Sequence, residues 1–160
     1  MESKVKLSAY AGFMTLIVTA VIIAGCVLTY GRGDAFIVFL VLLLLLIVFS
    51  LLYAPLKIKA STEYVKVRSA LKSHKIPVRD IESVELFQPT MGSMRLCGSG
   101  GYMGYWGIFR EGDVGRYTAY YGKASDCFII RLKNGDKFVL GCENPSLMVS
   151  FISRHLSRLD

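Results

Sequence analysis

The chain has 160 residues, 53% of them hydrophobic, with a mean hydropathy of +0.47 and a formal net charge of +7 at pH 7. That length holds one compact domain plus a small extra element. The charges are interspersed without a nucleic-acid recognition motif, and Gly-x-Ser-x-Gly, the P-loop and His-Glu-x-x-His are all missing, so the sequence supports neither a nucleic-acid partner nor an enzyme.

The apolar content is concentrated at the start. Residues 7–31 carry no charged side chain, and neither do residues 35–56. A hydrocarbon core of roughly 30 Å needs about 20 apolar residues at about 1.5 Å each, so both stretches are long enough to cross a membrane. The second is the purer. Phe36 to Leu52 reads FIVFLVLLLLLIVFSLL, too long for a strand and too apolar all round to hide in a small soluble core. The first contains Thr15, Thr19 and Thr29, whose hydroxyls can bond back to helix carbonyls. The pattern predicts transmembrane helices over residues 9–30 and 35–53 and an anchor over residues 1–54.

Gly31-Arg32-Gly33-Asp34 joins them, a turn so short that the helices are antiparallel neighbours. Its Arg-Gly-Asp tripeptide is also found in adhesion ligands, but glycine and charge are what a tight turn at a membrane surface requires. Lys4 and Lys6 precede the first helix, and Lys57, Lys59, Lys66 and Arg68 follow the second, whereas the turn holds one Arg and one Asp. The positive-inside rule therefore predicts cytoplasmic ends. Ile23-Ala24-Gly25-Cys26 resembles a bacterial lipobox, in which cleavage would leave Cys26 lipidated. The apolar run continues through Val27 and Leu28 and a second span follows at once, so a retained helix is the preferred reading. The small residues Ala9, Ala11, Gly12, Ala20, Ala24 and Gly25 suit helix packing within one hairpin or between two copies, which leaves a homo-oligomer open.

From residue 56 the periodicity changes to two. Strands are predicted at Leu56–Ala60, Tyr64–Arg68, Ser73–Pro77, Ile81–Phe87, Arg116–Tyr121, Asp126–Leu132 and Lys137–Cys142. About seven short strands separated by turn residues point to a barrel or sandwich. The last hairpin has two registers. A two-residue Asn134-Gly135 loop sets Cys127 opposite Cys142. A three-residue loop with Gly135 in a bulge pairs Leu132 with Asp136, Ile130 with Phe138 and Phe128 with Leu140. The second gathers the apolar residues on one face and is preferred. It puts Cys127 and Cys142 on opposite faces. Cys26, Cys97, Cys127 and Cys142 have no C-x-x-C spacing and His74 and His155 are isolated, so no zinc site, cofactor or disulfide is expected. Asn144 as N-cap and Pro145 at the first position open a final helix, with Leu147, Met148, Phe151, Ile152, Leu156 and Leu159 as its apolar stripe.

Two apolar helices, then LKIKASTEYVKVRS, IPVRDIESVEL, GYWGIF and GRYTAYYGKASDCFIIRLKNGDKFVLGCENP leading into a helix: in this order, residues 55–156 resemble a bacterial pleckstrin-homology (PH) domain. The resemblance implies a seven-stranded, strongly bent barrel capped by a C-terminal helix over residues 55–160. Many bacterial members are membrane-anchored, which fits a multi-pass protein of the bacterial inner (cytoplasmic) membrane with its soluble part in the cytoplasm. It implies a fold more than a function.

Two sets of residues stand out as candidate contacts. Lys57, Lys59, Lys66 and Arg68 lie close to the bilayer and suit anionic headgroups, although the positive-inside signal alone accounts for them. The stretch Gln88–Met103 reads as a long loop, and its Met91, Met94, Arg95 and Leu96, with Tyr102, suit a protein partner. The glycine-rich span 98–122 also holds Trp106, Phe109 and Tyr117, expected to pack in the barrel while the glycines form bends. The leading expectation is a non-enzymatic, membrane-anchored adaptor. Sensing of anionic lipid and service as a subunit of a membrane enzyme or transporter are the alternatives.

Overall fold

The computed structural model describes residues 1–90 and 92–157. Two helices, α1 (Ala9–Leu28) and α2 (Asp34–Tyr53), form the expected hairpin. The Ser8 hydroxyl caps α1 by accepting from the Ala11 N–H at 3.1 Å. Thr15, Thr19, Thr29 and Ser50 donate their hydroxyls to carbonyls four residues back, so α1 and α2 carry few polar groups in need of water. Only Ala11 of α1 and Ser50 of α2 are buried. Both helices are long and apolar enough to cross a membrane, and their leucines, valines and isoleucines face outward.

The strands are β1 (Glu2–Lys4), β2 (Lys57–Ala60), β3 (Tyr64–Arg68), β4 (Ser73–Pro77), β5 (Ile81–Leu86), β6 (Met94–Gly101), β7 (Gly104–Glu111), β8 (Gly115–Tyr121), β9 (Cys127–Leu132) and β10 (Lys137–Gly141). They make a four-stranded sheet in the order β1-β2-β3-β4 and a six-stranded sheet in the order β5-β9-β10-β8-β7-β6. Every pairing is antiparallel except β10 with β8. The seven strands read from periodicity are all present. The register of β9 and β10 is the one that hydrophobic burial selects: Ile130 faces Phe138 and Phe128 faces Leu140. Gly135 closes that turn at φ +88°, and its N–H donates to the Leu132 carbonyl.

Three strands were not anticipated. The expected loop Gln88–Met103 is corrected: its second half is β6, which pairs with β7. Their glycines hide the alternation that normally marks a strand. The third is β1, three residues that the sequence assigns to the membrane anchor. It lies antiparallel to β2, with Ser3 opposite Ile58. The tie continues beyond it. Val5 N–H donates to the Leu56 carbonyl, Glu143 N–H to Lys4, and Ser8 N–H to Gly122.

The core has two parts because β9 and β10 are buried on both faces. Phe128, Ile130 and Leu140 face Ile58, Val65, Val67 and Ile76 of the first sheet. Ile129, Val139 and Cys127 pack on the other side with Phe109, Tyr117, Ala119 and Tyr121. The helix α3 (Pro145–Leu156) buries Met148 and Ile152 in the first part and closes the corner between the sheets. Asn144 occupies the N-cap position without a side-chain bond, and Leu147 points outward rather than joining the stripe. Leu159 lies outside the described residues.

Gly122 shows how closely the N-terminal segment is fitted. A Cβ there would sit 2.2 Å from the Lys6 carbonyl oxygen. Gly122→Val is therefore expected to lower stability by about 1–3 kcal/mol. Thermal unfolding of the purified full chain measures this, and an unchanged midpoint would show that residues 5–8 are not held against β8.

Candidate functional site

The four basic residues singled out in the sequence come together. Lys57 pairs with Arg68, and Lys59 with Lys66, across β2 and β3. Directly paired residues share a sheet face, so all four stand on the outer face of the first sheet. The same registers add Lys4 opposite Lys57, and Lys75 opposite Lys66. One acid interrupts this face. Glu2 bonds Lys57 at 2.9 Å, which holds its carboxyl below the usual range. Lys4, Lys57 and Arg68 form the row nearest the helices. The turn after β3 adds Lys72, whose ammonium lies 4.9 Å from the Tyr53 ring centroid. Leu71 in that turn is 70% exposed, and its N–H donates to the Leu51 carbonyl of α2. The backbone of an exposed apolar residue is thus fixed beside the end of α2, next to Lys72.

The residues proposed for a protein partner fall on β6, the edge strand of the second sheet. Met94 and Leu96 are 66% and 52% exposed, Arg95 and Cys97 are exposed, and Met91 lies outside the described residues. Tyr102 is elsewhere. It sits in the turn between β6 and β7, which rests on α1: its hydroxyl is 3.3 Å from Thr19 Oγ1, and the Met103 N–H donates to Thr15 Oγ1 at 2.8 Å. Trp106 does not enter the barrel core. It stacks on Tyr53 at 5.6 Å between centroids and donates its indole N–H to the Tyr102 carbonyl. Phe109 and Tyr117 do pack inside, as expected.

The hairpin reaches the helices because it bends. Gly98 and Gly107 face each other with φ +117° and +121°, and a Cβ on either would lie about 2 Å from a carbonyl of the opposite strand. A bulge between Arg95 and Cys97 adds to the curvature.

Cys26 lies on α1 and is half-buried, and all four cysteines are free. Cys127 and Cys142 belong to different halves of the core, as the register implies, and burial raises both thiols above their ordinary value. Among the described residues no group of three or more His, Cys, Asp or Glu side chains gathers as a metal site.

The family description Bacterial PH domain matches residues 56–156. The chain belongs to the bacterial PH-domain family. No curated protein and no solved structure matches it. The PH-domain match takes in β2 to β10 and α3, while β1 and the two helices lie outside it. PH domains are in general non-catalytic interaction modules, which is what the family membership supports here.

His74 of this PH domain bridges the two sheets, with its ring against Tyr120 and Phe138. Partial desolvation against these rings, and then the Lys72 charge, lower its pKa from an ordinary value of 6.5. A lowered folded-state value means that the unfolded chain binds the proton more readily. The resulting stability is present above pH 6.5 and is lost as pH falls through the folded value. His74→Phe should remove that acid sensitivity. Unfolding midpoints at pH 5 and pH 7.5 test this, and an equal acid-induced loss in both proteins would contradict it.

Proposed function

We propose that this protein is a membrane-anchored, non-enzymatic adaptor whose PH domain binds a protein partner at the cytoplasmic face of the membrane. The observation that carries the reading is the β6 edge. Among the described residues no strand lies beyond β6, and in its exposed first half, residues 94–98, Met94 and Leu96 flank Arg95. An open edge is a template for an added strand, with main-chain bonds giving affinity and alternate side chains giving selectivity. A membrane anchor raises the effective concentration of such a module toward other membrane proteins.

Orientation is supported by two features. Strand β1 pairs with β2, so both outer ends of the helical hairpin meet on one side of it. That side carries Lys4, Lys6, Lys57, Lys59, Lys66, Arg68 and Lys72, whereas the turn carries Arg32 and Asp34, and positive charge collects in the cytoplasm. Cleavage before Cys26 would strip β1 from its sheet and leave Gly122 and Glu143 without backbone partners, which favours a retained first helix.

The row Lys4, Lys57, Arg68 and Lys72 supports a second reading, attraction of the domain to anionic headgroups. The two are separated by one comparison. Full chain carrying Met94→Asp and Leu96→Asp should lose a co-purifying membrane protein by on the order of tenfold while keeping its thermal stability. A partner that survives this change, but is lost when the basic row is changed to alanine, would move the function to the sheet face.

A further inference from the structure

The turn between β6 and β7 reaches well past the start of α1. Met103 and Tyr102 bond Thr15 and Thr19, and α1 begins at Ala9. At about 1.5 Å per residue, those contacts fall about 9 Å and about 15 Å along the helix. On the other side, Gly98, Ser99 and Tyr102 line a groove of about 410 Å³ with Leu42, Leu45 and Leu46 from the middle of α2. Trp106 stays at the helix end, stacked on Tyr53. The hairpin therefore runs from the helix ends toward the middle of the helical pair.

The length of the helices decides which medium surrounds it. Each has 20 residues, about 30 Å, which is the thickness of a hydrocarbon core. A bilayer that began only beyond the hairpin would leave residues 20–28 of α1 and 34–41 of α2 to cross it, about 14 Å and about 12 Å. Neither is half of what a span needs. The two helices can cross only if the hairpin tip lies in the membrane with them.

Its composition fits that place. Residues 96–109 carry no charged side chain, and Arg95 and Arg110 stand on neighbouring rungs at the base. Non-helical backbone at membrane depth must be covered by protein or line a polar cavity. The tip is covered. The Met103 N–H donates to Thr15 Oγ1, and the Tyr102 carbonyl accepts from Ser99 Oγ and the Trp106 indole. Ser99, Gly101 and Gly104 are buried. A Cβ on Gly101 would lie 3.2 Å from the Tyr10 ring, so glycine lets β6 rest directly on α1. Nearer the base, a cavity of about 540 Å³ lined by Tyr10, Met14, Ser93, Arg95 and Tyr105 gives β6 polar surroundings.

We propose that the tip of the β6–β7 hairpin, residues 99–106, is a re-entrant membrane element, a third intramembrane segment packed on α1 that enters and leaves on the side holding the domain. Its surroundings are acyl chains and the protein's own helices. The inference rests on α1 and α2 crossing a bilayer. It requires no particular headgroup, and it concerns a part of β6 beyond the exposed residues offered to a protein partner.

The test reconstitutes the full chain into phosphatidylcholine vesicles brominated either beside the ester or at mid-chain, with tryptophan emission as the readout. Trp106 is the one tryptophan, so the unaltered chain reports the base of the element. In a Trp106→Phe background, Tyr102→Trp reports the tip, Val41→Trp the middle of α2 and Asp113→Trp the exposed turn between β7 and β8. Mid-chain bromine should quench Tyr102→Trp as it quenches Val41→Trp, and bromine beside the ester should quench Trp106 the more. Asp113→Trp should keep its emission with both. Tyr102→Trp unquenched while Val41→Trp is quenched would overturn the proposal. So would escape of Trp106 in the unaltered chain from both bromines, a result that does not depend on how any variant folds. Val41→Trp unquenched as well would instead remove the anchored reading itself.

Discussion

Backbone hydrogen bonds from the first eight residues to both sheets are the constraint on which the arrangement depends. Without them, α1 would be held to the domain only through α2 and through the β6–β7 turn at Thr15 and Thr19. With them, both ends of the helical hairpin are fixed to one body, β1 to β2 in the first sheet and Ser8 to Gly122 at the end of β8 in the second. A flexible tether would let the domain tumble below the bilayer. This attachment gives it a single attitude. It sets the row of Lys4, Lys57 and Arg68 and the Leu71 turn together at the helix ends, while the turn between β6 and β7 lies further along α1, at Thr15 and Thr19. Anchor and domain are thus one structural unit, although the PH-domain match begins only at residue 56.

The curl of the second sheet is the other determinant, and it comes from small residues. A long hairpin of ordinary residues would twist evenly along its length. Gly98 facing Gly107 at positive φ, and the bulge after Arg95, turn β6 and β7 back onto α1. The same bend opens a concavity on one side of the hairpin and a groove against α2 on the other. It also moves Trp106 out of the core and onto Tyr53. The glycines thus shape the membrane-proximal surface as well as sparing the core from overpacking.

What was legible in the sequence follows from the strength of the local signal. The helices were plain because each stretch is about 20 apolar residues long, far more than a strand of this domain needs. The β9 and β10 register could be read because burial penalises a one-residue slip on every side chain at once, and Asn134-Gly135 fixes the turn. The basic face was read as four residues near the bilayer. Its extension to Lys4 and Lys75 needed the pairings of β1 and β4. Strand β1 was illegible because Glu2, Ser3 and Lys4 have neither length nor apolar alternation, and its partner lies beyond both helices. Strands β6 and β7 were hidden by glycine, so Arg95 was taken for a loop residue. Its contact with a cavity shared with Tyr10 and Met14 has no local signature, since it exists only after the hairpin has bent.

The pairing of β1 with β2 also sets an order of assembly. Strand β1 leaves the ribosome before its partner, which emerges only after both apolar helices, a wait of several seconds at about 5–20 residues per second. During that interval β1 is a short, polar, unpaired segment, made of residues that water solvates well. The β1–β2 pairing therefore reports that the hairpin between them is already in place. A hairpin inserted the wrong way round would leave β1 and β2 together but on the far side of the membrane. One that failed to close would leave them apart, so the first sheet gains its edge strand only from a closed hairpin.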